Sequence, residues 1–305
     1  MTRREAIGLL GASGSLLANS TPRFRLAVCN ETFEGSAFAE SCRLARSTGY
    51  TGLEVMPATL SSDPASLPAS RRAELRRIMS DAGIEFTGLH SILSAPPGLH
   101  LTTPDDAIRR RSWEYFRQMI DLCGDLGPNR YLVLGSAKQR AAAKGESVDD
   151  ALKRLRDGLA ESAPHAAERR VLLLAEPLAP HLCNVLNTLA QAVEMVRSIN
   201  HPAVQTMFDT HNTAGETEPH DELIRKYARY IRHVHVNEMD GRHPGTGNYD
   251  FGLVLRTLRQ IGYSGWISLE VFQFKPSGEE VARESAAFLR RLEATSSSPR
   301  EVGKT

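Results

Sequence analysis

The chain has 305 residues, of which 41% are hydrophobic and 24% are charged, and its formal net charge is +1. This composition is typical of a folded globular domain and excludes an intrinsically disordered chain or an integral membrane protein. The near-neutral charge offers no basic field for nucleic acid, so none is expected as a partner. The four cysteines are scattered without C-x-x-C spacing, and we expect buried apolar side chains rather than zinc ligands or disulfides.

The N-terminus contains a pair of arginines. Arg3 and Arg4 precede a short, weakly apolar stretch of small residues that runs to Ala18. This arrangement is typical of a twin-arginine export signal, and the stretch is too short to span a bilayer. We therefore expect residues 1–20 to be a signal outside the fold, and the protein to be periplasmic or secreted. The alternative is a disordered basic tail on a cytoplasmic protein. No later apolar run is long enough to predict a membrane span.

From residue 24 onward, short apolar runs alternate with longer amphipathic ones. The apolar runs predict strands at 24–29, 52–56, 85–90, 131–134, 171–175, 204–208, 231–236 and 266–272. The amphipathic runs predict helices at 37–49, 69–82, 105–126, 148–167, 187–198, 222–229, 253–261 and 278–292. Eight strand-then-helix units imply parallel strands joined by right-handed crossovers.

Eight such units favour a closed barrel over an open, doubly wound sheet. An open sheet would carry a glycine-rich phosphate loop after its first strand, and the segment Asn30-Glu31-Thr32-Phe33 is no such loop. A barrel needs roughly 250 residues. We therefore predict an α/β fold with a single (β/α)8 TIM barrel at 24–294, followed by a flexible tail at 295–305.

Metal-capable side chains stand at the C-terminal ends of the second four predicted strands, where TIM barrels build their active sites. These residues are Glu176, Asp209, His235 and Glu270. Each alone has a structural interpretation, such as a loop-facing charge, a helix cap or a core histidine. Together, on four consecutive strands, they favour a functional site. His233 lies two residues before His235, on the same side of the strand and deeper in the barrel.

Several carboxylates that converge on one barrel mouth need a cation, because a buried carboxylate alone is costly. Three carboxylates and one imidazole suit Mn²⁺, Mg²⁺ or Co²⁺, and Zn²⁺ also accepts these donor types. We predict one divalent ion, with Mn²⁺ as the first choice.

Two segments carry a family resemblance. Residues 231–251 combine His233-Val234-His235 with the turn Pro244-Gly245-Thr246-Gly247 and the pair Asp250-Phe251, and residues 262–270 end on Glu270. With these motifs the chain resembles the sugar phosphate isomerase/epimerase family of xylose isomerase-like TIM barrels, over nearly all of residues 24–292.

The resemblance implies the same four metal ligands, with Glu176 and Glu270 doubling as acid and base on opposite faces of the substrate. It also implies that His211 and Arg242 bind the substrate and that His90 and Glu54 line the pocket. Two positions depart from the family pattern: Asn212 stands where a histidine is usual, and Arg242 is shifted by one place. No dedicated phosphate-binding loop is present, which favours an unphosphorylated sugar, cyclitol or glycoside.

The leading hypothesis is a metal-dependent isomerase or epimerase of a sugar-like ketone. The same residues would serve a lyase or dehydratase acting on a keto sugar or cyclitol, and a non-catalytic sugar-binding barrel is a further alternative. A phosphodiesterase of the endonuclease IV type would need a multi-metal cluster and a basic groove, and the charge disfavours it. The sequence shows no oligomer interface and leaves a homo-oligomer open.

Overall fold

The computed structural model describes residues 23–296. Eight parallel strands close into a barrel in the order β1 to β8, and β8 pairs with β1. The strands are β1 (Arg25–Cys29), β2 (Gly52–Val55), β3 (Glu85–Leu89), β4 (Arg130–Leu134), β5 (Val171–Ala175), β6 (Val204–Asp209), β7 (Ile231–Val236) and β8 (Trp266–Leu269). The predicted TIM barrel is confirmed.

Helices follow the strands and cover the outside of the barrel. They are α1 (Phe38–Ser47), α2 (Ala69–Asp81), α3 (Asp106–Leu126), α4 (Ala137–Arg140), α5 (Val148–Glu168), α6 (Leu189–Ile199), α7 (His220–Tyr227), α8 (Phe251–Gln260) and α9 (Gly278–Ser296). The proposed export signal at 1–20 lies outside the described residues. Helix α9 continues to Ser296, past the predicted start of the tail, and the rest of that tail also lies outside them.

Two differences from the predicted elements have clear causes. Strand β8 ends at Leu269 rather than at residue 272, because its last pairings are Val28 with Leu269 and Val236 with Leu269. Beyond that point β7 has ended at Val236, and Cys29 of β1 pairs with Glu54 of β2 rather than with β8. Helix α4 was not predicted, since its four residues are too few for a helical repeat to show.

The hydrophobic core has two layers, one inside the barrel and one between the strands and the helices. The inner layer consists of Ala27, Tyr131, Val133, Leu174, Met207 and Trp266. The four cysteines are buried, as expected, and none of them is in a disulfide among the described residues. Above the inner apolar layer the barrel interior becomes polar, with Glu54, His233 and His235 all fully buried. The change from apolar to polar filling places the chemistry at the C-terminal end of the barrel.

No helix among residues 23–296 is both long enough and apolar enough to cross a membrane.

Candidate metal and active site

The four predicted metal ligands meet at the C-terminal mouth of the barrel. Glu176 and Glu270 each follow the last residue of a strand, Asp209 ends β6, and His235 lies in β7 opposite Asp209. One donor atom from each of the four residues lies within 4.8 Å of the others. Parallel strands that end at the same level therefore bring four distant sequence positions into one cluster.

His235 stands at the centre of this cluster. Its Nδ1 lies 3.0 Å from Oε2 of Glu270 and 3.7 Å from Oε1 of Glu176. All of these side chains are buried, with Glu270 the most exposed at 8%. The contacts place an imidazole nitrogen and two carboxylate oxygens around one small volume.

Asp209 is held by the residues that follow it. Its Oδ1 accepts a hydrogen bond from the backbone N–H of His211 at 2.8 Å, and its Oδ2 accepts one from the Asn212 side-chain amide. Asn212 in turn accepts from the N–H of Ala179 at 3.0 Å, in the loop after β5. Asn212, which departs from the family pattern, therefore orients a candidate ligand and links two strand ends.

The cluster concentrates negative charge in a buried place. Burial, together with the charges of Glu176 and Glu270, raises the pKa of Asp209 well above its ordinary value. Burial also acts to raise the pKa of Glu270, but the charge of the adjacent His235 outweighs it and leaves that pKa lowered. The carboxylates therefore need a positive partner, which a proton on His235 or a cation can supply.

The donor set fits a divalent ion. Three carboxylates and one imidazole are within reach of one centre, and they are ligand types that Mn²⁺, Mg²⁺ and Zn²⁺ accept. Oε1 of Glu176 and Nδ1 of His235 are buried without a hydrogen-bond partner among the described residues. Buried polar atoms are rarely left so, and both of these face the shared volume.

Glu54 was expected to line the substrate pocket, but the structure places it beneath the cluster. Its side chain is 0% exposed, and it accepts hydrogen bonds from Nε2 of His233 at 2.9 Å and Nε2 of His235 at 3.1 Å. Tyr131 approaches the same carboxylate at 3.4 Å. Because these groups surround it, Glu54 has no contact with the cavity.

A cavity of about 480 Å³ opens above the cluster and exposes Glu176 and Glu270. The predicted substrate residues His90 and His211 line it. Its lining combines serine hydroxyls with apolar side chains, which are Ser91, Ser94 and Ser136 and Leu178, Leu182 and Phe272. Such a cavity has the size and the mixed lining of a small-molecule site.

Arg242, the fourth predicted substrate residue, lies outside this cavity. Its Nε donates to Oδ2 of Asp240 at 2.8 Å, and it lines a separate depression beside the strand-seven loop. The backbone turns sharply at Gly241, where φ is +81°, and the Gly241 N–H donates to the carbonyl of Glu238. This turn and the pair with Asp240 keep the guanidinium at the exposed side of the loop.

Two supporting residues were not predicted from the sequence. The Arg140 guanidinium is fully buried and donates to the carbonyl oxygens of Leu134 at 3.2 Å and Glu176 at 2.6 Å. It thereby fixes the backbone of a candidate ligand. Gly135 approaches Glu176 so closely that an added Cβ would lie 2.2 Å from Oε2 of that carboxylate. Neither residue belongs to a periodic pattern, so only the folded arrangement identifies them.

The close approach at Gly135 leads to a mutational prediction. We expect Gly135→Ala to displace the Glu176 carboxylate and to lower turnover by about 100-fold, because misplacement on the order of 1 Å has that effect on catalytic groups. Turnover and Mn²⁺ affinity, measured with the melting temperature as a control for folding, test this. A variant with wild-type turnover would show that Glu176 tolerates the shift.

A second prediction concerns the ion pair of His90 and Glu31, whose Nε2 and Oε1 are 2.6 Å apart. Burial acts to lower the pKa of His90, but Glu31 outweighs it and raises the pKa to about 9. A histidine whose pKa is higher in the folded state stabilises fully below its unfolded pKa of about 6.5 and loses that contribution as the pH rises through 9. The wild type should therefore exceed His90→Gln in stability at about pH 6, by on the order of 3 kcal/mol.

This advantage should fall towards zero by about pH 10, as measured by denaturant unfolding of metal-free protein. His165→Gln is the matched control, because the His165–Asp121 pair is partly exposed and screened by solvent. An advantage of His90 that does not change with pH would contradict the ion pair.

Comparison with known proteins agrees with this architecture. The family described as xylose isomerase-like TIM barrel matches residues 42–292. The chain is 26% identical over 212 residues to an L-ribulose 3-epimerase from Mesorhizobium japonicum, a match that covers 70% of each protein. It is also 26% identical over 262 residues to an L-ribulose-5-phosphate 3-epimerase from Escherichia coli, which covers 83% of this chain and 87% of the relative.

Solved structures share the fold. The D-psicose 3-epimerase from Clostridium cellulolyticum H10 superposes with a TM-score of 0.77 at 18% identity, over 88% of this chain and 99% of that one. A 3-keto-D-glucoside 4-epimerase from E. coli gives the same TM-score at 18% identity, over 88% of this chain and 100% of that one. At 18% identity these similarities establish the fold alone, and the substrate must be inferred from other observations.

Proposed function

The chain belongs to the xylose isomerase-like TIM-barrel family, and from this premise we propose that it is a divalent-metal-dependent epimerase of a ketose or sugar-like ketone. The observation that carries the proposal is the cluster of Glu176, Asp209, His235 and Glu270 at the mouth of the barrel. Two of its carboxylates also line the cavity. The names of the relatives, which are ketose 3-epimerases of several kinds, support the same reaction class.

Glu176 and Glu270 are suited to act as a proton-transfer pair. Both have carboxylate oxygens at the cavity floor, and they arrive from strands on either side of β6 and β7. One carboxylate removes the proton on the carbon beside the carbonyl, which leaves an enediolate. The other carboxylate returns a proton to the opposite face of that carbon and inverts it. The product therefore has the same mass as the substrate, because one proton leaves the carbon and one returns to it.

A divalent ion bound by the four residues would act as a Lewis acid that polarises the carbonyl and offsets the negative charge of the enediolate. Asp209 and His235 would hold it together with the two glutamates, and we propose Mn²⁺ because oxygen donors predominate. His211 and His90 line the cavity, and we propose that they donate hydrogen bonds to substrate hydroxyls. His211 Nδ1 lies 3.2 Å from the carbonyl oxygen of Glu238, and donation to it fixes the ring and presents Nε2.

The test is a panel of keto and aldo sugars incubated with the Mn²⁺-supplied enzyme in D₂O. We expect one deuterium per turnover on the carbon beside the carbonyl, with an epimeric product of otherwise unchanged mass. Loss of the mass of water or of an alcohol would indicate a lyase instead. Bound Mn²⁺ without deuterium exchange from any sugar would indicate a non-catalytic binding barrel.

We also propose that residues 1–20 direct export through the twin-arginine pathway. The test is a fusion of this segment to a reporter that is active only in the periplasm. We expect export of the fusion, and its loss when Arg3 and Arg4 are both changed to lysine. Equal export of both fusions would reject the signal, and so would retention of both in the cytoplasm.

A further inference from the structure

A carboxylate beneath the candidate metal cluster is bound by two histidines. Each oxygen of Glu54 contacts a different histidine: Oε1 lies 3.1 Å from Nε2 of His235, and Oε2 lies 2.9 Å from Nε2 of His233. Glu54 and both histidines are 0% exposed, so neither substrate nor bulk water competes for these bonds. The mechanism proposed above makes no use of this carboxylate.

The arrangement fixes the direction of each hydrogen bond. An ionised carboxylate only accepts, so both imidazoles must donate from Nε2. Each oxygen of Glu54 has an imidazole nitrogen within hydrogen-bond distance, which is the pairing that an ionised carboxylate makes. With Nε2 of His235 committed as a donor, its Nδ1 is the nitrogen left to face Glu176 and Glu270, which it does at 3.7 and 3.0 Å.

The neighbours of Glu54 also fix its own orientation. The hydroxyl of Tyr131 lies 3.4 Å from Oε2, and the Tyr131 ring stacks on the His233 imidazole with centroids 4.0 Å apart. His233 and Tyr131 thus hold Oε2, and rotation of the carboxylate would break both contacts. Oε1 is therefore kept under His235.

We infer that Glu54 is a positioning residue for the metal site: it holds His235 in the tautomer and orientation that present Nδ1 to the ion. The inference rests on the proposed metal site and deepens it. A carboxylate behind a ligating histidine fixes the ring and raises its basicity, and losing such a partner typically weakens metal binding by about 10- to 100-fold.

The test is Mn²⁺ affinity, measured by calorimetry on the full chain without substrate. Glu54→Gln should bind Mn²⁺ about 10- to 100-fold more weakly than the wild type. The amide retains one oxygen acceptor and presents an N–H₂ group to the second imidazole, so the two histidines cannot both donate. Glu284→Gln is the matched control, because Glu284 also contacts a histidine, His243, that is not one of the four candidate ligands. It should bind Mn²⁺ within about two-fold of the wild type.

A second measurement needs no variant and covers the case in which Glu54→Gln fails to fold. In ¹⁵N-labelled wild type loaded with diamagnetic Zn²⁺, His235 should keep its proton on Nε2 and lose the one on Nδ1. A proton found on Nδ1 would overturn the inference, and so would equal Mn²⁺ affinity in folded Glu54→Gln and the wild type. A wild-type protein that binds neither Mn²⁺ nor Zn²⁺ would instead overturn the proposed function. That outcome is distinguishable from the two that overturn only the role of Glu54.

Discussion

Glu176→Gln and Glu270→Gln should each slow epimerisation by about 10³-fold, since a positioned acid or base typically contributes 10² to 10⁴. Gln keeps the size of the side chain but cannot take up a proton. Both residues are also candidate ligands, so the variants must be compared at saturating Mn²⁺ with the bound ion quantified. A rate loss that persists with the ion bound would isolate the proton-transfer role.

Solvent exchange gives this experiment a sharper form. If each carboxylate serves one face of the substrate, a variant that lacks one of them should still exchange the proton of one epimer with D₂O without converting it. Glu176→Gln and Glu270→Gln should then retain exchange with opposite epimers. Glu284→Gln is the matched control, because Glu284 contacts His243 at 3.0 Å but lies 55% exposed and away from the cavity. Unimpaired conversion by either cavity variant with Mn²⁺ bound would refute the pair.

The sequence predicted the fold and the four clustered residues for one physical reason. Parallel strands buried on both faces appear as apolar runs, and their C-terminal ends are marked where a polar residue interrupts the run. Glu176 and Asp209 are such interruptions, and closure of the barrel brings them together with His235 and Glu270. At these positions the local sequence pattern and the topology of the closed barrel therefore predict the same location for the side chains.

The depth of a side chain inside the barrel is not encoded in this way. The family resemblance implied that Glu54 lines the pocket, yet the structure places it under His235. The register between β2 and β3 shifts between Leu53 and Glu54, and no sequence repeat predicts such an irregularity. A strand pattern identifies the inward face but does not give the height at which a residue meets the site.

Loops are predicted least well, because their paths depend on single backbone angles and on distant partners. Arg242 follows Gly241, whose positive φ turns the chain, and it pairs with Asp240 rather than reaching the cavity. Arg140 lies in a four-residue helix, which is too short to show a pattern in the sequence. Its role is visible only in the folded chain, where its buried guanidinium donates to the carbonyl oxygen of Glu176.

Saturating Mn²⁺ should raise the melting temperature of the wild type by about 5–10 °C. An ion present at 100 times its Kd stabilises the folded state by about 2.7 kcal/mol, and 1 kcal/mol corresponds to about 2–4 °C for a domain of this size. Asp209→Asn should lose most of this shift, because it removes one anionic ligand from the cluster. Asp157→Asn is the control, since Asp157 pairs with Lys153 and Arg156 on the surface and should leave the shift intact.

The same shift should depend on pH with a defined sign. Burial and the neighbouring carboxylates raise the pKa of Asp209 in the metal-free fold. For an acid this means that the folded state holds its proton more tightly than the unfolded chain, so the contribution of Asp209 to stability falls as the pH rises above its unfolded value of about 3.9. A bound ion must displace that proton and then supply the missing positive charge. The Mn²⁺-induced rise in melting temperature should therefore be larger at about pH 7.5 than at about pH 5, and a rise that is equal at both would mean that protons and Mn²⁺ do not compete for the cluster.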